Sequence, residues 1–292
     1  MSIPLTALLL ATGASLGWAG LDSTRKVLAG RIPPTALLLL LTAAAAPLFA
    51  VWTVIDGVPP ISGSYALPAL ASVGLNVIAN LGFFMAIRSS PLSVTIPLLS
   101  LTPVFATLLA IPALGERPTA AQWAGVALVV TGAFLLNIRR RDPAAGSFWH
   151  ALTHERGPLW MAVVALLWSI TIPLDKLAAE RASAPFHGFV LNAGVGFFAF
   201  LLLAAQRRLR EVRAVKEVPG AFALALILST AALGLQLMAL QLIWVGFVET
   251  LKRGVGNVMA LVLGRFLFGE TITWGKIAGV ALMAAGVGLI LR

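Results

Sequence analysis

Three observations predict an all-α integral membrane fold of ten transmembrane helices, arranged as two inverted five-helix repeats. The chain is apolar almost from end to end, a C-terminal motif repeats an earlier one at an offset of 154 residues, and most basic residues fall in alternate loops. Apolar residues make up 59% of the chain and charged ones 11%, against about 25% charged in soluble domains. Mean hydropathy is +0.96. A spanning helix needs about 20 mostly apolar residues. Turn and charge clusters divide the sequence into ten such segments, at 4–24, 34–55, 65–87, 91–113, 119–138, 158–177, 186–205, 219–241, 246–268 and 272–291. No polar loop marks the boundary at Ile243–Gly246. Ten helices leave no room for a soluble domain. The first segment lacks the positive n-region of a signal peptide and has a counterpart later in the chain, so it reads as a helix. Without cysteine there are no disulfides, thiolate metal sites or cysteine nucleophiles.

The repeat carries the domain organisation. GERPTAAQWAGVALVVTGAFLLNI (115–138) aligns with GETITWGKIAGVALMAAGVGLILR (269–292) at 10 of 24 positions, sharing AGVAL and a glycine eight residues after its first Ala (Gly132, Gly286). Small residues at these spacings let helix backbones approach closely in a membrane. WAGLDSTRK (18–26) and WSITIPLDK (168–176) are a weaker echo at the starts of the halves. The expected organisation is a first repeat at 1–138, a basic linker at 139–157 and a second repeat at 158–292. Five helices per repeat make the second half enter the membrane in the opposite sense, an architecture of secondary transporters.

Charge agrees with inversion. Fifteen of the 21 Lys and Arg residues fall in loops 1–2, 3–4, 5–6, 7–8 and 9–10. The positive-inside rule puts IRRRD and QRRLREVRAVKE in the cytoplasm and both termini outside, with a bacterial inner membrane the expected location. The net charge of +10 therefore reads as topology and contact with anionic lipid, not as nucleic-acid affinity.

Ten helices in two halves, GE entering the last helix of each half and a tryptophan in each first helix resemble the drug/metabolite transporter superfamily, EamA-type. The resemblance spans nearly the whole chain and implies a carrier. Members move amino acids, sugars, nucleotide-sugars, metabolites and drugs, so the family leaves the cargo open.

Paired Pro- or Gly-interrupted segments in the two halves point to a transporter site. SSPLSVTIPLLSLTPVF in the fourth helix, with Pro91, Pro97 and Pro103, lies opposite WVGFVETLKRGVGNVMALVLG in the ninth, with Gly246, Gly254, Gly256 and Gly264. The offset matches Thr95 with Glu249, and Ser100 with Gly254. Glu249, Lys252 and Arg253 are the only charges between Val218 and Arg265. Each costs roughly 2.5–3.5 kcal/mol at a helix centre. Lys252 snorkelling to the interface, or a purely structural pairing with Glu249, would explain them without a ligand. The alternative is an anion site. One carboxylate neutralises one cation, and the surplus positive charge can hold a carboxylate or phosphate.

LKRGVGN also resembles plastid triose-phosphate and related phosphate translocators of the same superfamily. Their adjacent Lys-Arg on the ninth helix holds substrate phosphate, which implies that role for Lys252 and Arg253. Those carriers also use further lysines and a tyrosine. The sole tyrosine of this chain, Tyr65, is expected near the surface at the start of the third helix.

Asn76 and Asn80 share a helix face, and with Gln236 they suit interhelical hydrogen bonds or substrate contact. Trp18 and Trp168 sit deeper than an interfacial belt and could line a cavity. Asp22 with Arg25 and Lys26, and Asp175 with Lys176, read as anchoring or mouth-closing ion pairs near helix ends. Glu116 and Glu270 open the fifth and tenth helices, where the helix dipole favours acids. His150 and His154 lie in a loop without ligand partners, and His187 is the one histidine that could enter a helix core. No metal, cofactor or enzyme motif is expected.

The function expected is secondary transport of a small organic anion, organic phosphates included, by alternating access with exchange or proton coupling. Export of amino acids or amphipathic drugs is the alternative, and a non-transporting membrane scaffold a further one. Partners are the small molecule and membrane lipid.

Overall fold

The computed structural model describes residues 3–89, 98–137, 156–268 and 273–290. Thr95, His150, His154, Glu270 and the side chain of Lys26 lie outside the described residues. The described residues form ten α-helices: α1 (Leu5–Ala29), α2 (Pro34–Asp56), α3 (Gly63–Ser89), α4 (Thr102–Leu114), α5 (Ala120–Asn137), α6 (Arg156–Arg181), α7 (Ala184–Ala205), α8 (Pro219–Leu242), α9 (Val245–Phe268) and α10 (Trp274–Ile290). A 3-10 helix at Leu209–Glu217 takes up the basic run before α8. α1, α2, α6, α7, α8 and the Gly63–Phe83 part of α3 are long and apolar enough to cross a membrane. α4, α5 and α10 are shorter apolar helices, and α9 carries the charges. Large side chains such as Ile55, Leu67 and Leu70 stand exposed on these helices, as an integral membrane protein facing lipid requires.

Two helices run further than the sequence suggests. α1 continues past position 24 to Ala29 and α6 past 177 to Arg181, so Arg25 is helical and Asp22, Asp175 and Lys176 lie further from the helix ends than the sequence suggests. α6 stops where Ser183 caps α7, its side chain accepting from the Phe186 N–H at 3.3 Å, with Pro185 in the first turn. α4 begins only at Thr102, with Pro103 in its first turn. It ends at Gly115, whose left-handed backbone (φ 67°) returns its N–H to the Ile111 carbonyl at 3.0 Å.

The chain divides into two compact units, each drawing on both sequence repeats. Unit 1 comprises 1–4, 78–173 and 243–292, and unit 2 comprises 5–77 and 174–242. Within unit 1, α5 packs along α10 and α4 along α9. A methyl group at Gly132 would stand 2.5 Å from the Gly279 carbonyl oxygen, and one at Gly125 would stand 2.6 Å from the Gly286 carbonyl oxygen. The offset of 154 converts one pair into the other. Gly125 follows Gly286 while Gly132 follows Gly279, so these equivalent helices run antiparallel, as inverted repeats require. Val129, Ala133 and Met283 fill the seam between the glycines. Only glycine permits this approach, which gives dispersion contacts where no hydrophobic force drives helices together.

Within unit 2, α2 packs along α7 and α1 along α8. Gly188 lies against Phe49 and Gly196 against Thr42, again antiparallel. Leu21, Leu28, Leu37, Leu41 and Leu203 form its main apolar cluster, against which Val212 and Val215 of the 3-10 helix pack.

Candidate functional site

The break between α8 and α9, unmarked by any polar residue, has a polar cause elsewhere in the chain. Both carboxylate oxygens of Glu116 accept from the Val245 N–H at 3.1 Å, capping α9 across 129 residues of sequence. Glu116 therefore serves the start of α9. This fixes the frame in which the three α9 charges sit.

Glu249 is fully buried and pairs with Lys252 one turn on. Lys252 retains 15% side-chain exposure and reaches that carboxylate. Arg253 is differently placed. Its Nη2 donates to the Thr102 Oγ1 at 3.4 Å, and its buried Nε has no acceptor among the described residues. Thr102 already donates its own proton to the Leu99 carbonyl at 2.6 Å, so its oxygen meets Arg253 as an acceptor. The Ser169 hydroxyl of α6 reaches the Thr102 carbonyl at 3.3 Å. Residues from α4, α6 and α9 thus converge, and Gly256, one turn beyond Arg253 and Lys252, has no described residue within 4 Å of where its side chain would be.

Of the other expected residues in unit 1, Ser100 is buried in the turn before α4. Trp168 stacks at 5.7 Å on Phe83, beside the Leu98, Leu99 and Val164 cluster. Asn80 is half-buried in the same unit. Thr95, matched by the repeat with Glu249, lies outside the described residues.

Unit 2 gathers a second polar cluster that sequence reasoning left scattered. Asp175, read as a mouth-closing acid, is only 4% exposed. It accepts from the Ser72 hydroxyl in a short contact and sits 3.0 Å from the His187 Nε2. The His187 Nδ1 lies 3.3 Å from the Tyr65 hydroxyl. Asn76 donates to the Ser72 Oγ at 3.2 Å and to the Ser72 carbonyl at 3.1 Å. Tyr65 is thus buried against Ala69, Ala178 and Phe186, not superficial as its position near the start of the third helix suggests. The available signals were a histidine, an aspartate and the sole tyrosine in spanning helices, since ionisable residues there are rare and purposeful.

Gln236 is buried on α8 and Lys176 half-buried on α6. Asp22 and Arg25 form a 3.8 Å ion pair on α1, with the guanidinium 5.9 Å from the Trp18 ring centre.

Comparison with known proteins follows the geometry. The sequence profile of the EamA-like transporter family matches twice, at residues 5–138 and 155–292. No curated protein matches the sequence. One solved crystal structure superposes with a TM-score of 0.75, covering 97% of each chain at 18% identity, a likeness of fold alone.

Proposed function

The chain belongs to the EamA-like transporter family, and on that premise we propose that it carries a small organic anion, organic phosphates included, seated at Arg253. The observation that supports this is the state of the guanidinium. It is held in a polar seat on α9, yet it has one hydroxyl oxygen at 3.4 Å and no carboxylate partner among the described residues. Guanidinium offers a planar fork of N–H donors that fits a carboxylate or phosphate bidentately. Glu249 and Lys252 neutralise one another beside it, so the local surplus is one positive charge, matched to an incoming monoanion. Thr102, Ser169 and Ser100 contribute neutral polar groups from both repeats. Binding cancels the surplus and lets the seat close in a medium of low dielectric, which suits alternating access by exchange or by proton coupling. In this reading the membrane is a bacterial inner membrane, with basic loops cytoplasmic and both termini outside.

The test is thermal stabilisation of the purified protein across carboxylates, organic phosphates, amino acids and cationic drugs, because a ligand of the folded state raises stability with concentration. Anions are expected to stabilise in proportion to the logarithm of concentration. Stabilisation by cationic or neutral solutes alone would overturn the assignment and favour the export of drugs.

A further inference from the structure

The chain Tyr65–His187–Asp175–Ser72–Asn76 has no part in the anion seat, and its hydrogen bonds admit two protonation states. With the imidazole neutral, Tyr65 donates to Nδ1, Nε2–H donates to the Asp175 carboxylate, Ser72 donates to the same carboxylate, and Asn76 donates to the Ser72 oxygen. Every group is matched, but the cluster holds one net negative charge in a site where His187 is fully buried and Asp175 nearly so. One added proton on Nδ1 makes an imidazolium–carboxylate pair of zero net charge. The Tyr65 oxygen then accepts where its hydroxyl previously donated. The two states differ by one proton and one unit of buried charge.

The other ionisable groups on the neighbouring elements are few. α7 brings no other ionisable residue, and the unit 2 part of α3 brings only Tyr65. α6 adds Lys176, half-buried, and Glu180 and Arg181, both exposed, with Arg181 donating to the Ser64 carbonyl at 2.6 Å. Asp56 at the end of α2 is exposed, and α8 carries no charge. From Tyr65 to Asn76 the cluster follows α3 for eleven residues, about 16 Å of helix, from near its start toward the membrane interior. It ties α3, α6 and α7 together where α6 ends and α7 begins.

We propose that the Asp175–His187 pair is a proton-binding site, and that its occupancy controls the opening of the helix ends where α3, α6 and α7 meet. This deepens the carrier reading, on which it rests: the proton taken up there is the ion coupled to transport. Uptake and release leave every covalent bond of the cluster intact apart from the N–H formed or lost at His187.

The experiment uses the full chain in nanodiscs. His150→Gln with His154→Gln leaves His187 as the sole histidine, so its ring signals in NMR are unambiguous. They are expected to respond to pH in the parent, and to respond differently in Asp175→Asn. Because the chain has no cysteine, Ala182→Cys reports maleimide access at the α6–α7 junction alone. Thiol ionisation shapes that rate equally in all variants. The ratio of parent to Asp175→Asn or His187→Gln is expected to change at least fivefold across the His187 transition. Tyr65→Phe keeps the ring in its apolar seat and guards against misfolding of the charge variants; it should alter the same ratio. A His187 signal that is constant across pH, or labelling profiles parallel in all variants, overturns the proposal. Either outcome is independent of the anion panel, so the two readings fail separately.

Discussion

Arg253 in unit 1 and Asp175 in unit 2 are both charged side chains in helices of a membrane protein, and their surroundings are opposites. Asp175 is met by a hydroxyl and an imidazole that are themselves held by Asn76 and Tyr65. Arg253 is met by one threonine oxygen, with its Nε buried and unmatched. A closed network fixes the elements that supply it, because every partner lost leaves a buried group unsatisfied. An open one has a donor with no acceptor among the described residues, and under the proposed function the cargo supplies that acceptor. The difference separates a polar group matched within the protein from one left open.

The largest effect that could break this contrast is on stability. Asp175→Ala leaves His187 and Ser72 buried without their acceptor and is expected to cost about 3 kcal/mol or more, read by unfolding in detergent. Arg253→Gln removes a single long hydrogen bond and should cost only about 1 kcal/mol. Equal costs would erase the distinction.

Glu249→Gln sharpens it within unit 1. Lys252 loses its counter-charge, and a loss of about 2 kcal/mol is expected because its partial exposure softens the penalty. The same change removes one negative charge and so raises the local positive surplus by one. Anion-induced stabilisation should therefore grow even as the unliganded protein weakens. A smaller stabilisation would mean that Glu249 helps to hold the ligand and does more than trim the charge.

What the sequence made legible follows from what is local. Ten apolar segments, the glycines of AGVAL and the inversion needed by five helices per repeat are all readable from spacing, and Gly125, Gly132, Gly279 and Gly286 meet as those spacings imply. The surplus charge on α9 was also readable, since Glu249, Lys252 and Arg253 lie within two turns. The Glu116 cap on Val245 was not, because it joins positions 129 residues apart and α9 begins without a turn signal. The Asp175 network was hidden for the same reason. Its contacts span 103 residues to Ser72, and Tyr65 lies 122 from His187. Asp175 beside Lys176 suggested a surface pair because α6 was expected to end at 177; its extension to Arg181 carries the carboxylate inward.

The smallest expected effect concerns the seat of Arg253. Thr102→Val removes the hydroxyl that accepts from the guanidinium and donates to Leu99, with an expected stability loss of about 1 kcal/mol. Anion affinity should change less than about fivefold, since the ligand offers a better acceptor than the hydroxyl did. A complete loss of binding would move the ligand contact from Arg253 to Thr102.

All of this turns on whether the unmatched guanidinium is what an anion finds inside the protein. Titrating the most stabilising anion of the panel into the parent, Arg253→Lys and Arg253→Gln tests it directly. Affinity is expected to fall about 10- to 150-fold in Arg253→Gln, the range of about 1.5–3 kcal/mol for charged hydrogen bonds, and less in Arg253→Lys, which keeps the charge but not the fork. Unchanged affinity in Arg253→Gln would contradict the account.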